Sequence, residues 1–217
     1  IDYDKVAMYE RETRHDVVAH LREFADHCPT AKRILHLGAT SCYITDNADI
    51  LIMRDALHIV GCQLQDIKDK LSHLAHEYSN LPVVGRTHFQ KAQLTTLGKR
   101  ICMWINDFNM DLEMARSMIR SLKLLGFKGA TGSQSSLYTL FDGNFDMAQR
   151  LDSHIGNYFG MNCVAIAGQT YTRKYDSMVA GVLPKIAQSA SKMATDIRLM
   201  SATGEMYEGF GKDQVGS

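Results

Sequence analysis

Between Ile50 and Tyr78 the apolar residues fall at Ile50, Met53, Leu57, Val60, Leu64, Ile67, Leu71, Leu74 and Tyr78, in alternating steps of three and four. A pleated strand repeats every two residues, so this run specifies an amphipathic helix. The spacing returns from Leu94 through Leu97, Ile101, Trp104, Phe108, Leu112, Ala115, Ile119 and Leu122. Two helices of roughly 30 residues, each about 45 Å long at 1.5 Å per residue, far exceed the average globular helix of about 11–12. Such lengths ask for a bundle, including one shared between chains. Between the two runs lies Gly85-Arg86-Thr87-His88-Phe89-Gln90-Lys91-Ala92-Gln93. Pro82 cannot continue the first helix, so the polar run is expected to be a joint that sets His88 at a helix end.

Around this pair the elements are shorter. A first helix is expected from about Asp4 to Asp26, with Arg11-Glu12-Thr13-Arg14-His15-Asp16 in its middle and Cys28-Pro29 as its stop. The connector His36-Leu37-Gly38-Ala39-Thr40-Ser41 precedes the long helix, and Thr45-Asp46-Asn47 has the residue types of its cap. Gly126, Gly129 and Gly132 recur at every third position ahead of Ser133-Gln134-Ser135-Ser136, which predicts a loop with special backbone angles or a close approach. Their spacing matches neither a Walker phosphate loop nor a dinucleotide fingerprint. A helix is expected over about Phe145 to Phe159, and a last long one over about Tyr171 to Ser201, bent at Pro184. The chain opens inside an apparent helix and stops at Gln214-Val215-Gly216-Ser217 without helix-terminating character, so it reads as a segment of a larger protein.

Composition removes several function classes. Lys plus Arg equals Asp plus Glu at 24 each and no basic block occurs, so no nucleic-acid partner is expected. The 5 cysteines, Cys28, Cys42, Cys62, Cys102 and Cys163, are scattered without a Cys-x-x-Cys pair and read as reduced residues rather than a zinc or redox site. No uncharged apolar run approaches the roughly 20 residues that span a bilayer, and nothing resembles a signal peptide, so no membrane partner and a cytoplasmic location are expected.

Of the 9 histidines, His20, His27, His58, His73, His76 and His154 lack a matching polar cluster and are expected at the surface or satisfied in the core. His73 and His76 have a ligand spacing, but no carboxylate completes the Glu-x-x-His pairs of a di-iron bundle, and no metal is expected. Three clusters differ, each joining donors to a titratable or hydroxyl group where a helix begins or breaks: Thr13-Arg14-His15-Asp16, Thr40-Ser41 and Thr87-His88. Singly, each is equally compatible with a cap or a surface charge network. Together they point to an anionic substrate, because arginine, hydroxyls and helix N-termini bind carboxylate and phosphate. A histidine titrating near neutrality can then protonate a leaving group or take a proton.

The segments His36-Leu37-Gly38-Ala39-Thr40-Ser41-Cys42-Tyr43, Thr87-His88-Phe89-Gln90 with Ala92-Gln93-Leu94-Thr95-Thr96 and Gly98-Lys99-Arg100, and Gly168-Gln169-Thr170-Tyr171-Thr172-Arg173-Lys174 resemble the adenylosuccinate lyase family, most closely its animal type, within the fumarase/aspartase superfamily. The Thr-Ser and Thr-His segments occur across that superfamily. Arg14-His15-Asp16 and the Gln169 segment point to the family.

The resemblance implies an all-α fold, a long-helix bundle whose central domain is shared in a homotetramer, with residues 1–40 ending an N-terminal helical domain and 41–217 forming the central domain up to the signature loop. It implies release of fumarate from adenylosuccinate, giving AMP, and from the succinylated aminoimidazole carboxamide ribotide of purine synthesis, without a cofactor. By similarity His88 is the general acid, Thr87 binds the succinyl group, and Thr40 with Ser41 holds a carboxylate. Arg14, His15 and Asp16 match positions on the nucleotide side, and Gln169 matches another binding position. The family's base is a serine opening a mobile Gly-Ser-Ser-x-Met-Pro-x-Lys-x-Asn loop, which makes Ser217 the candidate base on a motif present only at its edge. Lys91 stands where the family usually has proline, adding a charge and freeing the backbone beside His88. Argininosuccinate lyase, fumarase or aspartase would share the elimination but not the nucleotide, and a catalytically silent scaffold would share only the helices.

Overall fold

The computed structural model describes residues 1–207 and 209–216. The chain forms two compact units, one of residues 1–55 and 121–175 and the other of residues 56–120 and 176–217. Among the described residues the elements are eight helices and two strands, so the fold is mostly helical but not purely so.

In the first unit, the helix expected over Asp4 to Asp26 is two helices, α1 (Tyr3–Thr13) and α2 (Asp16–His27). Arg14 adopts φ 55, ψ 33, the left-handed conformation that ends a helix, and its N–H closes on Glu10 O at 2.8 Å. α1 starts at Tyr3 with the Asp2 carboxylate accepting from Asp4 N and Lys5 N, rather than running back to Ile1. α2 buries Val17, Ala19 and Ala25. Helix α3 (Ser41–Glu77) begins one turn earlier than the expected cap, which leaves Asp46 and Asn47 inside it and buried. The three-glycine loop follows expectation: Gly126, Gly129 and Gly132 have φ of 76, 77 and 83. A short helix without a sequence signal, α5 (Ser135–Leu140), precedes α6 (Phe145–Phe159), which has the expected bounds. Asn144 caps α6 through Met147 N, and Gly160 ends it at φ 64.

The second unit holds the rest of α3, the hairpin β1 (Pro82–Thr87) and β2 (Gln90–Thr96), α4 (Leu97–Ser121) and α8 (Leu183–Ala202). Helix α7 (Lys174–Ala180) joins the two stretches of chain. The joint between the long helices is therefore an antiparallel ribbon rather than a helix start, and His88 sits at its tip while α4 begins at Leu97. α3 ends at Glu77, five residues ahead of Pro82, and two extended segments then satisfy each other's backbone groups, pairing Pro82 with Thr96 and Thr87 with Gln90. A bulge sets Gly85 opposite Ala92 and Gln93, and Lys91 pairs with Arg86. The ribbon is tied off where Leu97 N donates to Leu81 O at 3.0 Å and Gly98 N to Tyr78 O at 2.9 Å.

The core of this unit joins Leu64, Leu71 and Ala75 of α3 to Leu97, Ile101, Trp104, Phe108 and Leu112 of α4 and Met200 of α8. Trp104 Nε1 donates to Asp196 Oδ2 at 2.8 Å, fixing α4 to α8. Along α3 the residues seven apart, Ile50, Leu57, Leu64 and Leu71, are buried, while Met53, Val60 and Ile67 are half-buried. Ile59 and Met110 remain 63% and 62% exposed, so both long helices carry apolar surface that this chain leaves uncovered. The last expected helix is broken: α7 ends at Ala180, and Pro184 lies in the first turn of α8, where its missing N–H costs nothing, so proline starts a helix instead of bending one. Among the described residues no helix is long and apolar enough to cross a membrane.

Candidate active site

The break at Arg14 places His15 in an extended conformation at the N-cap of α2, where its Nδ1 accepts from Val18 N at 3.4 Å. With Nδ1 accepting, the neutral ring keeps its proton on Nε2. That nitrogen lies 3.2 Å from Ser41 Oγ, at the first residue of α3, and donates to it. Asp16 Oδ1 stands 3.3 Å from Nδ1 of the same ring. Next to Ser41, Thr40 Oγ1 accepts from Gln169 Nε2 at 2.9 Å, across a sequence separation of 129 residues. Four of the residues singled out in the sequence thus meet in two hydrogen-bonded pairs, His15 with Ser41 and Thr40 with Gln169. Arg14 and Asp16 flank His15 and are exposed.

His36 joins this group, although sequence reading quoted it only as part of a motif. Its φ is 64, unusual for a residue with a Cβ, and its Nδ1 is buried with no hydrogen-bond partner. Burial first, and then the charge of His15, hold its pKa below the ordinary value of 6.5. A buried ring nitrogen without a protein partner costs free energy.

What holds these segments together is a second set of residues that local sequence does not reveal. Asp46, 2% exposed, accepts from Tyr171 N at 2.8 Å and faces Arg173 Nη2 at 3.7 Å. Arg173 also lies over the Tyr171 ring, 4.2 Å from its centre. Asn47 donates to Gly126 O at 3.2 Å and accepts from Gly126 N at 3.0 Å. The start of α3 therefore carries Thr40 and Ser41 and, about one turn on, anchors both the Gln169 segment and the glycine loop. Asp152 of α6 braces that loop from its other side, accepting from Phe127 N at 2.6 Å, Lys128 Nζ at 2.5 Å and Gln134 Nε2 at 3.2 Å.

Thr87 and His88 belong to the second unit, both exposed on the ribbon tip. His88 and Phe89 are the two central residues of its tight turn, with φ of 49 and 60. Both values lie where a two-residue hairpin turn needs them and where Asn-Gly is the usual sequence. The candidate base Ser217 lies outside the described residues. Among the described residues no three His, Cys, Asp or Glu side chains group closely enough to hold a metal ion.

Comparison with known proteins adds a second line of observation. The model of a family described as "Lyase" matches residues 2–217. The adenylosuccinate lyase of Saccharomyces cerevisiae is 46% identical over 214 residues, which are 98% of this chain and 44% of that protein. The adenylosuccinate lyase of Schistosoma mansoni is 40% identical over 219 residues, 100% of this chain and 46% of that one. Among solved structures, the β-carboxy-cis,cis-muconate cycloisomerase of Acinetobacter calcoaceticus sp. ADP1 superimposes with a TM-score of 0.73 at 29% identity, over 92% of this chain and 46% of that one. A fumarate lyase from Mesorhizobium sp. BNC1 gives 0.76 at 21% identity, over 94% and 47%, a likeness of fold. The chain spans less than half the length of the curated relatives it matches.

Proposed function

The chain belongs to the lyase family, and from that membership we propose that it supplies part of an adenylosuccinate lyase, cleaving adenylosuccinate to AMP and fumarate and the succinylated aminoimidazole carboxamide ribotide to its amide and fumarate. The observation that carries this reading is the similarity, along nearly the whole of this chain, to adenylosuccinate lyases at 40–46% identity. Supporting it is the convergence of His15, Ser41, Thr40 and Gln169, which are separated in sequence yet hydrogen-bonded in pairs.

In the reaction the C–H bond beside a carboxylate and the C–N bond both break. The electron pair of the first becomes the double bond of fumarate, and that of the second leaves on nitrogen, which takes a proton. His88 is proposed as the acid that delivers this proton, since an imidazole holds one near neutral pH and its exposed place on the ribbon tip leaves it open to a substrate. Ser217 is proposed as the base, on the family motif alone. Thr87, Thr40 and Ser41 are assigned to the succinyl carboxylates, and Arg14, His15 and Asp16 to the nucleotide and its phosphate, with Gln169 ordering Thr40. Charge building on the carbanion is then met by hydroxyl and N–H donors fixed in advance.

The proposed assembly is a homotetramer with sites shared between subunits, in the cytoplasm. The uncovered apolar surface at Ile59 and Met110 supports burial against further copies of the chain. Incubating the full-length protein separately with adenylosuccinate, the ribotide and argininosuccinate, and measuring fumarate, tests the activity. Fumarate is expected from the first two alone; release from argininosuccinate instead moves the protein to another branch of the superfamily.

A further inference from the structure

Glu205, just beyond α8, has no part in the chemistry assigned above, yet its 14% exposed side chain grips the ribbon that carries His88. Its Oε1 accepts from Arg86 Nε at 3.3 Å and Nη2 at 3.1 Å, and its Oε2 accepts from Arg100 Nη1 at 2.9 Å. Arg100 Nη2 in turn donates to Val84 O at 2.9 Å. One carboxylate thus ties β1 to α4 through both arginines, and Arg86 stands two residues before His88. Burial pushes this carboxyl up, but Arg100 and Arg86 more than offset that and hold it below its ordinary 4.5, so it stays charged around neutral pH.

The turn beyond Arg86 needs such a hold. A non-glycine residue in the left-handed region costs about 1–2 kcal/mol, and His88 and Phe89 are both there in succession. Strain of that kind persists only where the surroundings over-determine it. Arg86 reaches forward over the Phe89 ring, 5.6 Å from its centre, so the residue clamped by Glu205 also touches the strained turn.

We propose that Glu205 is a positioning residue for His88: through Arg86 and Arg100 it fixes the ribbon so that the His88–Phe89 turn keeps the geometry from which the imidazole meets the departing nitrogen. This rests on the assignment of His88 as the acid.

The test is a cycle in the full-length enzyme comparing wild type, Glu205→Gln, His88→Ala and the double variant on adenylosuccinate. A displacement of about 1 Å at a reacting group costs about 100-fold, so kcat of Glu205→Gln is expected to fall by that order while KM stays nearly unchanged. The double variant is expected to be no slower than His88→Ala, because Glu205 acts only through the ring that is already gone. Wild-type kcat in Glu205→Gln, or an equal loss in both backgrounds, overturns the proposal. Should Glu205→Gln fail to fold, Arg86→Gln carries the same cycle with the same expectations. Amide hydrogen exchange over residues 82–96 reads the clamp without using activity: faster exchange in Glu205→Gln is expected, and unchanged exchange overturns the proposal. A wild type that exchanges normally but releases no fumarate from adenylosuccinate would instead count against the functional reading.

Discussion

Replacing Asp46 with alanine would strand the Tyr171 N–H in the interior and remove a carboxylate facing Arg173. An unpaired buried donor costs about 1–3 kcal/mol, and the segment released is the one that brings Gln169 to Thr40. Asp46→Ala is therefore expected to lose stability of that order in a denaturant melt and to raise KM for adenylosuccinate more than it lowers kcat. Unchanged stability would show that Asp46 does not anchor the segment. His36 makes a pH prediction. Its folded pKa lies below the ordinary 6.5, so the unfolded chain binds the proton more readily. The stability linked to the neutral ring is full above pH 6.5 and declines as pH falls through 6.5 toward the folded value. His36→Asn, which tolerates the left-handed backbone, should flatten unfolding free energy against pH below about 6.5. An unaltered slope in that variant would assign the dependence to another group. Neither residue stands out locally. Asp46 and Asn47 look like a cap in the sequence, whereas their partners Tyr171 and Gly126 lie 125 and 79 residues away.

At the scale of elements, the regular spacing of apolar residues marks α3, α4 and α6, because burying one helical face imposes that spacing directly on the chain. The breaks are harder to see. α1 ends on Arg14 in a conformation that glycine usually supplies, so the residue type gives no stop signal. The ribbon tip is His88-Phe89 rather than Asn-Gly, and polar Gln90-Lys91-Ala92-Gln93 gives no clean alternation, so the hairpin has almost no sequence signature. Pro184 is legible as a perturbation but not as a helix start, since both readings place proline in a helical pattern. Where α4 leaves the ribbon, Gly98 passes so close to α3 that an added Cβ would lie 2.3 Å from Ala75 O and 2.7 Å from Ser79 Cα. Both contacts are backbone, so neither can rotate away. Gly98→Ala is expected to lower the melting temperature by several degrees, as a change of about 1 kcal/mol or more does in a domain of this size; a melt matching wild type would mean that the two helices separate there without cost.

For the molecule as a whole, the proposed roles fall in each compact unit taken by itself: Arg14, His15, Thr40, Ser41 and Gln169 in one, and Thr87 and His88 with the Glu205 clamp in the other. The motifs at Arg14, Thr40 and Thr87 were legible from their residue types and that at Gln169 from the family resemblance, whereas the pairings His15 with Ser41 and Thr40 with Gln169 required the fold. The long helices carry apolar surface at Ile59 and Met110 that this chain leaves uncovered, which supports the proposed assembly of several copies. In the proposed chemistry, His88 protonates the leaving nitrogen of adenylosuccinate, and the other roles depend on that step. The direct measurement is kcat for adenylosuccinate cleavage by full-length His88→Ala, with oligomeric state followed in the same sample. General acid catalysis contributes about 100- to 10,000-fold, so a loss within that range in an intact assembly is the predicted result. Wild-type turnover in a correctly assembled His88→Ala enzyme would contradict it.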